Sequence, residues 1–477
     1  MNMPDSARPR PLPTSASYGI TVRLYADPSP EVVGALATAV GAAGGLVTAI
    51  DVTESRHDRI TIDVSCSAAN GEHATEIVEA LRAVAGVSVH RVSDRTFLLH
   101  LGGKISVESK VQLRTRDELS MAYTPGVGRV SLALAEHPED VSKLTIKGNA
   151  VAVVTDGSAV LGLGNLGPGP ALPVMEGKAA LFKRFAGIDA WPICLDTQDA
   201  EEIVRIVKGI SPGFGGINLE DISTPRCFEI EARLRDELDI PVFHDDQHGT
   251  AIVVLAALTN ALRCVDKQLA EVRIVVSGGG AAGTAIVTLL LAAGATHILV
   301  WDKEGVLAPD DERLGEAKHD LAQRTNPECA HGDLHDAVTG ADVFIGVSAP
   351  NVLDVAWLAD MAADPIVFAL ANPDPEVDVD AAREHVAVLA TGRSDYPNQI
   401  NNVLAFPGVF RGLLDARARE VTMPMLIGAA QALAGCVSDS ELNATYIVPS
   451  VFDPEVPTAV AAAVRAVAEA CNPPAGS

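Results

Sequence analysis

Alternating and helix-spaced apolar positions divide the first hundred residues into six predicted elements. Strands are predicted at residues 20–25, 46–52, 59–66 and 87–92, and helices at 31–42 and 74–84. The resulting order, βαββαβ, is typical of a ferredoxin-like unit of about 80 residues. We place this unit at residues 18–103, after a Pro- and Ser-rich stretch at 1–17 that we expect to be mobile.

The remainder of the chain alternates strand-like and helix-like segments. Apolar runs such as "AVAVVTDG", "GINLEDI" and "IPVFHDD" lie beside helical patterns that include residues 176–186 and 225–238. Strand, helix and strand in this rhythm predict parallel sheets with crossover helices, and therefore an α/β fold. The Ala-rich stretch at 458–470 predicts a helix that packs back on the first of these sheets.

Composition argues against several classes of function. The chain has 477 residues, 48% of them apolar but only 4% aromatic, which favours α/β layers over a β-sandwich. Acidic residues outnumber basic ones by 62 to 36, so we expect no nucleic-acid partner. Apolar runs are too short for a signal peptide or a membrane helix, and seven scattered cysteines are typical of reduced thiols. We therefore expect a cytoplasmic protein.

Two acidic pairs follow neighbouring predicted strands. Glu220 and Asp221 end the run "INLED", and Asp245 and Asp246 end "PVFHDD". Parallel strands joined by one crossover end at the same edge of a sheet, so these four carboxylates are expected to crowd one crevice. A divalent cation resolves their repulsion, and oxygen ligands favour Mg²⁺ or Mn²⁺. The alternative is two unrelated acidic loop ends, each solvated.

A glycine-rich turn later in the chain predicts a dinucleotide site. An apolar strand at 272–276 leads to a G-x-G-x-x-G turn, a helix at 285–293 and a second strand at 297–301; the residues expected to bind the cofactor are Gly278, Gly280, Gly283 and Asp302. An acid at Asp302 holds a ribose hydroxyl and favours NAD, although Lys303 beside it leaves NADP open. The alternative is a glycine-rich turn that only packs.

Six motifs, in order, resemble malic enzymes of the bacterial type. They are "MAYTPGVGRV", "PVMEGKAALFKRFAGID", "INLEDI", "FHDDQHGTA", "SGGGAAG" and "TGRSDYPNQINNVLAFPG", and they span roughly residues 105–435. The N-terminal unit, ending in "VSVHRVSDRTFLLH", is similar to ACT regulatory domains, which bind small effectors. Its alternative is a dimerisation or packing domain without a ligand.

The resemblance assigns roles to individual residues. It implies metal ligands at Glu220, Asp221 and Asp246, catalytic groups at Tyr123, Lys178 and Asp245, substrate contacts at Asn372 and Asn402, and a nicotinamide-ribose contact at Asn401. It also implies a malate- and metal-binding catalytic domain at 104–256, a Rossmann-type NAD(P)-binding domain at 257–430 and C-terminal helices at 431–477.

The implied reaction is oxidative decarboxylation of L-malate to pyruvate and CO₂, with reduction of NAD(P). Lys178 is expected to be the general base, its pKa lowered by burial or by the metal, and Tyr123 the acid that protonates C3. No arginine follows "VTDG" here, which leaves the clamp on the substrate carboxylate open. We expect at least a homodimer. The alternatives are malolactic conversion of malate on the same scaffold and a catalytically silent metabolite sensor.

Overall fold

The chain divides into two units. A computed structural model describes residues 14–471, and contacts separate Met1–Ser106 from Val107–Ser477. The division falls three residues after the boundary expected at 103. Among the described residues, no helix is both long and apolar enough to cross a membrane.

The first unit is a four-stranded antiparallel sheet with two helices. Its elements are β1 (Ser15–Ala26), α1 (Val32–Ala42), β2 (Leu46–Ser55), β3 (Ile60–Ala68), α2 (Gly71–Arg82), β4 (Val87–Asp94) and a short α3 (Arg95–His100). The strand order is β2-β3-β1-β4, as in a ferredoxin-like fold. Apolar side chains of both helices, including Leu36 and Ile77, are buried against Val22 and Leu24 of the central strand.

The N-terminal boundary differs from the prediction. We expected residues 1–17 to be mobile, but β1 begins at Ser15, which pairs with Ala68 across a bulge. Serines carry no apolar alternation, so the pattern did not show this end of the strand. Residues 1–13 lie outside the described part of the chain.

The second unit begins with exposed helices and a four-stranded parallel sheet. Its first elements are α4 (Arg116–Ala122), α5 (Gly126–Glu136), α6 (Val141–Leu144), β5 (Ala150–Thr155), α7 (Pro168–Ala186), β6 (Asp189–Cys194), α8 (Ala200–Ile210), β7 (Gly216–Leu219), α9 (Arg226–Glu237), β8 (Val242–His244) and α10 (Thr250–Cys264). The strand order is β6-β5-β7-β8. Every strand pair in this sheet is parallel, as the alternation of strands and helices predicted.

A doubly wound sheet follows. Its elements are β9 (Arg273–Ser277), α11 (Ala281–Ala292), β10 (His297–Asp302), β11 (Gly305–Val306), α12 (Glu316–Thr325), α13 (Leu334–Val338), β12 (Val343–Gly346), β13 (Ile366–Ala369), α14 (Val379–Ala382) and β14 (Val388–Thr391). The order β11-β10-β9-β12-β13-β14 reverses direction between β9 and β12. Such a reversal creates the crevice in which Rossmann-type domains bind dinucleotides.

Three further helices close the unit, α15 (Phe406–Ala416), α16 (Met423–Gly435) and α17 (Glu455–Cys471). Glycines let α15 and α17 approach closely, because a Cβ at Gly408 would lie 2.7 Å from Cβ of Val460. Helix α17 also contacts α7 of the first parallel sheet, so the C-terminal segment does pack back on that region.

Candidate active site

The two acidic pairs lie side by side at the tips of β7 and β8. Leu219 and His244 end these strands as directly paired residues, so the acids that follow them meet. One carboxylate oxygen from each of Glu220, Asp221 and Asp246 lies within 4.8 Å of the others. The backbone N–H of Asp221, in the left-handed region at φ 54°, donates to Asp246 Oδ2 at 2.9 Å. The geometry of parallel strands therefore produces the predicted crevice.

A single turn of π-helix, Asp245–Gly249, connects β8 to α10 and aims Asp245 inward. A Cβ at Gly249 would lie 1.9 Å from Asp245 Oδ1, so only glycine leaves room for this carboxylate. Asn402 Nδ2 donates to the other oxygen, Asp245 Oδ2, at 2.6 Å. Asp245 is thus fixed beside the metal-type trio and is fully buried.

Lys178 is the cation of this cluster. It projects from α7, is buried, and its Nζ lies 2.8 Å from Glu220 Oε1 and in hydrogen-bond contact with Asp245. The ammonium also lies 4.2 Å from the centre of the Phe406 ring. An amine held between two acids in this way has a fixed position at the edge of the crevice.

Burial dominates the electrostatics of the acids. It raises the pKa of Glu220 to about 7 and that of Asp245 to about 7. Burial, together with Asp246 and Glu220, raises the pKa of Asp221 to about 8. Burial also lowers the pKa of Lys178, as expected, but Asp245 and Glu220 outweigh it and the net shift is upward. Without a metal ion, the protein's own groups therefore raise the pKa of Lys178, and the expectation of a lowered pKa is wrong.

The acidic trio fits a divalent cation. Asp221 Oδ2 is buried and has no hydrogen-bond partner among the described residues, so an acceptor points into the cluster with nothing to satisfy it. Asp246 is partly exposed, which leaves the trio accessible from the crevice. The three ligands are all carboxylates, the donor type that Mg²⁺ and Mn²⁺ prefer.

The glycine turn fits a dinucleotide. Gly278 has φ 114°, and a Cβ there would lie 2.7 Å from Val347 O. A Cβ at Gly283 would lie 1.8 Å from Gly278 O, so this glycine allows α11 to pack on the turn. A Cβ at Gly280 meets nothing within 4 Å, which leaves the N-terminus of α11 open to a ligand. These are the tasks that dinucleotide-binding glycines perform.

Asp302 ends β10 beside this turn. Its Oδ2 accepts from Gly279 N at 3.2 Å and lies 2.8 Å from Lys318 Nζ. The carboxylate is therefore held beside the glycine turn at the end of the second strand, where Rossmann-type domains place an acid that contacts the ribose.

Comparison with known proteins decides the family. Residues 102–235 match the N-terminal domain of malic enzymes, and residues 247–469 match the malic enzyme NAD-binding domain. The chain belongs to the malic enzyme family. A NAD-dependent malic enzyme of Geobacillus stearothermophilus is 56% identical over 453 residues, 95% of each chain. A bifunctional malic/malolactic enzyme of Bacillus subtilis is 51% identical over 77% of this chain and 90% of its own.

Solved structures agree. The crystal structure of a NAD-dependent malic enzyme from Thermotoga maritima is 50% identical, with a TM-score of 0.75, over 78% of this chain and 99% of that one. The chain is accordingly an oxidoreductase of the NAD(P)-dependent malic enzyme type. Because the Geobacillus alignment spans 453 residues and the second unit only 371, it includes about 80 residues of the N-terminal unit.

Not every predicted residue lies at the acidic cluster of this malic enzyme. Tyr123 ends α4, is 69% exposed and makes no side-chain hydrogen bond to the acids in the part of the chain described. Asn372 follows β13, where its carbonyl oxygen lies 3.1 Å from the Cβ position of Gly162, in the loop after β5. Asn401 Oδ1 accepts from Val403 N at 2.9 Å and shapes the turn before α15.

Sequence reasoning missed a second polar layer behind the acids. Glu231 of α9 is buried and accepts from His248 Nε2 at 2.7 Å and from Gln247 Nε2 at 3.2 Å, which anchors the π-helical turn. Burial would raise the pKa of Glu231, but His248 holds it below its usual value. The sequence did contain an indication of this layer. Glu231 falls at helical spacing between Cys227 and Leu234, which places it on the buried face of the helix.

Proposed function

We propose that this malic enzyme binds one Mg²⁺ or Mn²⁺ through Glu220, Asp221 and Asp246 and oxidatively decarboxylates L-malate to pyruvate with NAD. The observation that carries the proposal is the acidic trio, of which Glu220 and Asp221 are buried, with Lys178 against Glu220. The metal, when bound, supplies positive charge that attracts the malate dianion and polarises the C2 oxygen. NAD, when bound, supplies the hydride acceptor.

The chain's own groups move the protons. Lys178 first passes its own proton to Asp245, with which it is in hydrogen-bond contact, and then takes the proton of the C2 hydroxyl as hydride leaves C2. Asn402 keeps Asp245 in place through its 2.6 Å hydrogen bond. After CO₂ leaves, Tyr123 donates a proton to C3 of the enolate and pyruvate results.

Tyr123 must reach the cluster for this step, and we propose that it comes from a second copy of the chain. No residue in the range 107–149 is buried within the described structure, and this range exposes the large apolar side chains Leu119, Met121 and Leu132. Such a surface is typical of a subunit interface. We therefore propose a homodimer, or a higher homo-oligomer, whose sites are shared.

Mixing two inactive variants tests the shared site. Lys178→Ala and Tyr123→Phe, unfolded and refolded together, should regain about a quarter of wild-type turnover through mixed dimers with one intact site. Equal mixtures that stay inactive, while each variant refolds and dimerises, would show that each Tyr123 serves its own subunit.

A coupled assay tests the reaction. Purified protein with L-malate and NAD should form NADH and pyruvate with Mn²⁺ and lose both products in EDTA. Lactate without free NADH would instead indicate malolactic conversion, the alternative that the name of the Bacillus subtilis relative supports. We propose NAD over NADP because Asp302 repels a 2′-phosphate, although Lys303 follows it in sequence and Lys318 forms an ion pair with it.

For the N-terminal unit we propose an ACT-like regulatory role in a cytoplasmic enzyme. Support comes from the βαββαβ order and from a groove of about 230 Å³ lined by Ile20, Val78, Glu79 and Arg82 among others. Free cysteines at all seven positions suit a reducing compartment. A thermal-shift screen of metabolites against the full chain and its Arg82→Ala variant tests this role; identical responses would remove the groove from the proposal.

A further inference from the structure

Glu376 is a buried acid that the mechanism above does not use. It is 0% exposed and lies between the carboxyl ends of β12 and β13, where Oε1 accepts from Ser348 N at 2.9 Å and Oε2 from Ala371 N at 3.0 Å. Among the described residues it forms no ion pair. Burial raises the pKa of Glu376, and backbone N–H groups, chiefly that of Ala371, oppose this. A buried carboxylate without a cation is costly to keep.

Space is reserved for this carboxylate. A Cβ at Gly346, the last residue of β12, would lie 2.4 Å from Glu376 Cδ, so residue 346 has to be glycine. The loop that Glu376 holds also contacts the dinucleotide turn. Ser348 Oγ lies 2.8 Å from Ser277 Oγ, and Val347 O lies 2.7 Å from the Cβ position of Gly278.

Glu376 lies at the edge of the sheet that faces the nicotinamide half of a bound dinucleotide. The glycine turn and Asp302 belong to β9 and β10, the strands that serve the adenosine half of a dinucleotide. The strand order reverses after β9, so β12 and β13 serve the nicotinamide half. Glu376 lies between the ends of these two strands.

We propose that Glu376 determines specificity for the oxidised over the reduced cofactor, because its carboxylate, held by two backbone N–H groups and without a cation among the described residues, favours the form with a cationic nicotinamide ring. NAD⁺ and NADH carry the same pyrophosphate and adenosine, so repulsion of the phosphates cancels in the ratio of their dissociation constants. The two forms differ by one positive charge on the ring. A site biased in this way binds substrate cofactor more tightly and releases reduced product.

Binding measurements on the full chain test the proposal without turnover. Dissociation constants for NAD⁺ and NADH are measured by calorimetry, without malate, for wild type and Glu376→Gln. At an effective permittivity of about 20, one unit charge changes the affinity for another about 10 Å away by roughly tenfold. We expect NAD⁺ to bind roughly tenfold more weakly to the variant, with NADH changed by less than about twofold.

Two further variants distinguish an effect of the charge of Glu376 from a structural role of its side chain in holding the loop. Asp374→Asn removes an exposed acid from the same loop and should leave the ratio unchanged. Glu376→Asp retains the charge on a shorter side chain. The ratio of its dissociation constants for NADH and NAD⁺ should therefore stay within about twofold of wild type, even if both cofactors bind more weakly. If Glu376→Gln binds NAD⁺ and NADH more weakly by the same factor, the proposal is overturned and Glu376 has only a structural role. If Glu376→Gln does not fold, a collapsed ratio in Glu376→Asp overturns it.

Discussion

Replacing Lys178 by Met removes a single charge from the acidic cluster with little change of shape. Met is a flexible apolar side chain that can keep the contact with the Phe406 ring, 4.2 Å from Nζ in the wild type. What the variant loses is the ammonium that Glu220 and Asp245 share. The experiment therefore measures how strongly the buried acids depend on this cation.

The expected cost follows from burial. Removing one partner of a buried ion pair typically costs about 3–5 kcal/mol, because the other charge stays behind uncompensated. Here the acids escape part of this cost by protonation, since burial already raises the pKa of Glu220 to about 7 and of Asp245 to about 7. We therefore expect the free energy of unfolding to fall by about 3 kcal/mol, the lower end of that range.

The assay is a comparison of melting temperatures at pH 8 in EDTA. At about 2 °C per kcal/mol for a large domain, Lys178→Met should melt roughly 6 °C below wild type. Lys183→Met is the matched control on the same helix, because Lys183 is 61% exposed and pairs with Asp189 at the surface. Loss of an exposed pair costs at most about 1 kcal/mol, so this control should shift by about 2 °C or less.

Added Mn²⁺ should narrow the gap between Lys178→Met and wild type, because a divalent cation neutralises the same carboxylates. Turnover should remain absent with Mn²⁺, since the proton acceptor is gone. Equal melting temperatures for the Lys178→Met and Lys183→Met variants in EDTA would refute the reasoning, because the acids would then not depend on the buried ammonium.

Three more predictions concern the same crevice. Gly249→Ala should lower turnover about 100-fold by displacing the neighbouring carboxylate, while Gly209→Ala, which meets nothing within 4 Å, should keep wild-type rates in the malate assay. Asp246→Asn should abolish Mn²⁺ binding seen by electron paramagnetic resonance and retain NAD binding, whereas Asp239→Asn at a 92% exposed site should keep both. Asp302→Ala should raise the NADP-to-NAD ratio of kcat/KM by roughly tenfold or more; an unchanged ratio would remove Asp302 from cofactor selection.

The periodicity of apolar residues was sufficient to predict the helices and strands of the fold but not the residues at which they begin and end. The helix carrying Lys178 was predicted over residues 176–186 and begins at Pro168 instead. The segment "GPGPALP" indicates a loop by composition, yet Pro168 and Pro170 lie in the first helical turn, whose N–H groups have no partner within the helix, and only Pro173 lies inside the helix. Composition therefore gave the wrong start for a helix that the apolar spacing predicted over residues 176–186.

The acidic trio could be predicted because adjacent parallel strands bring consecutive loops together. Contacts between distant segments could not. Asn402 is 157 residues from Asp245 in sequence, and Tyr123 lies on the exposed surface for which we propose a second copy of the chain as partner. Their positions depend on the packing of whole domains or subunits, which local patterns do not encode.

Glycines beside buried acids indicate close packing, which is missed when glycines are interpreted only as turn residues. Gly249 has helical φ and ψ of −62° and −48°, and Gly346 ends a strand without a positive φ, so neither is required by the backbone. Each is required by volume, because a Cβ would collide with the carboxylate of Asp245 or of Glu376. A glycine that interrupts an apolar element without turning the chain therefore indicates a close approach, and in this enzyme both approaches are by buried carboxylates at the ends of parallel strands.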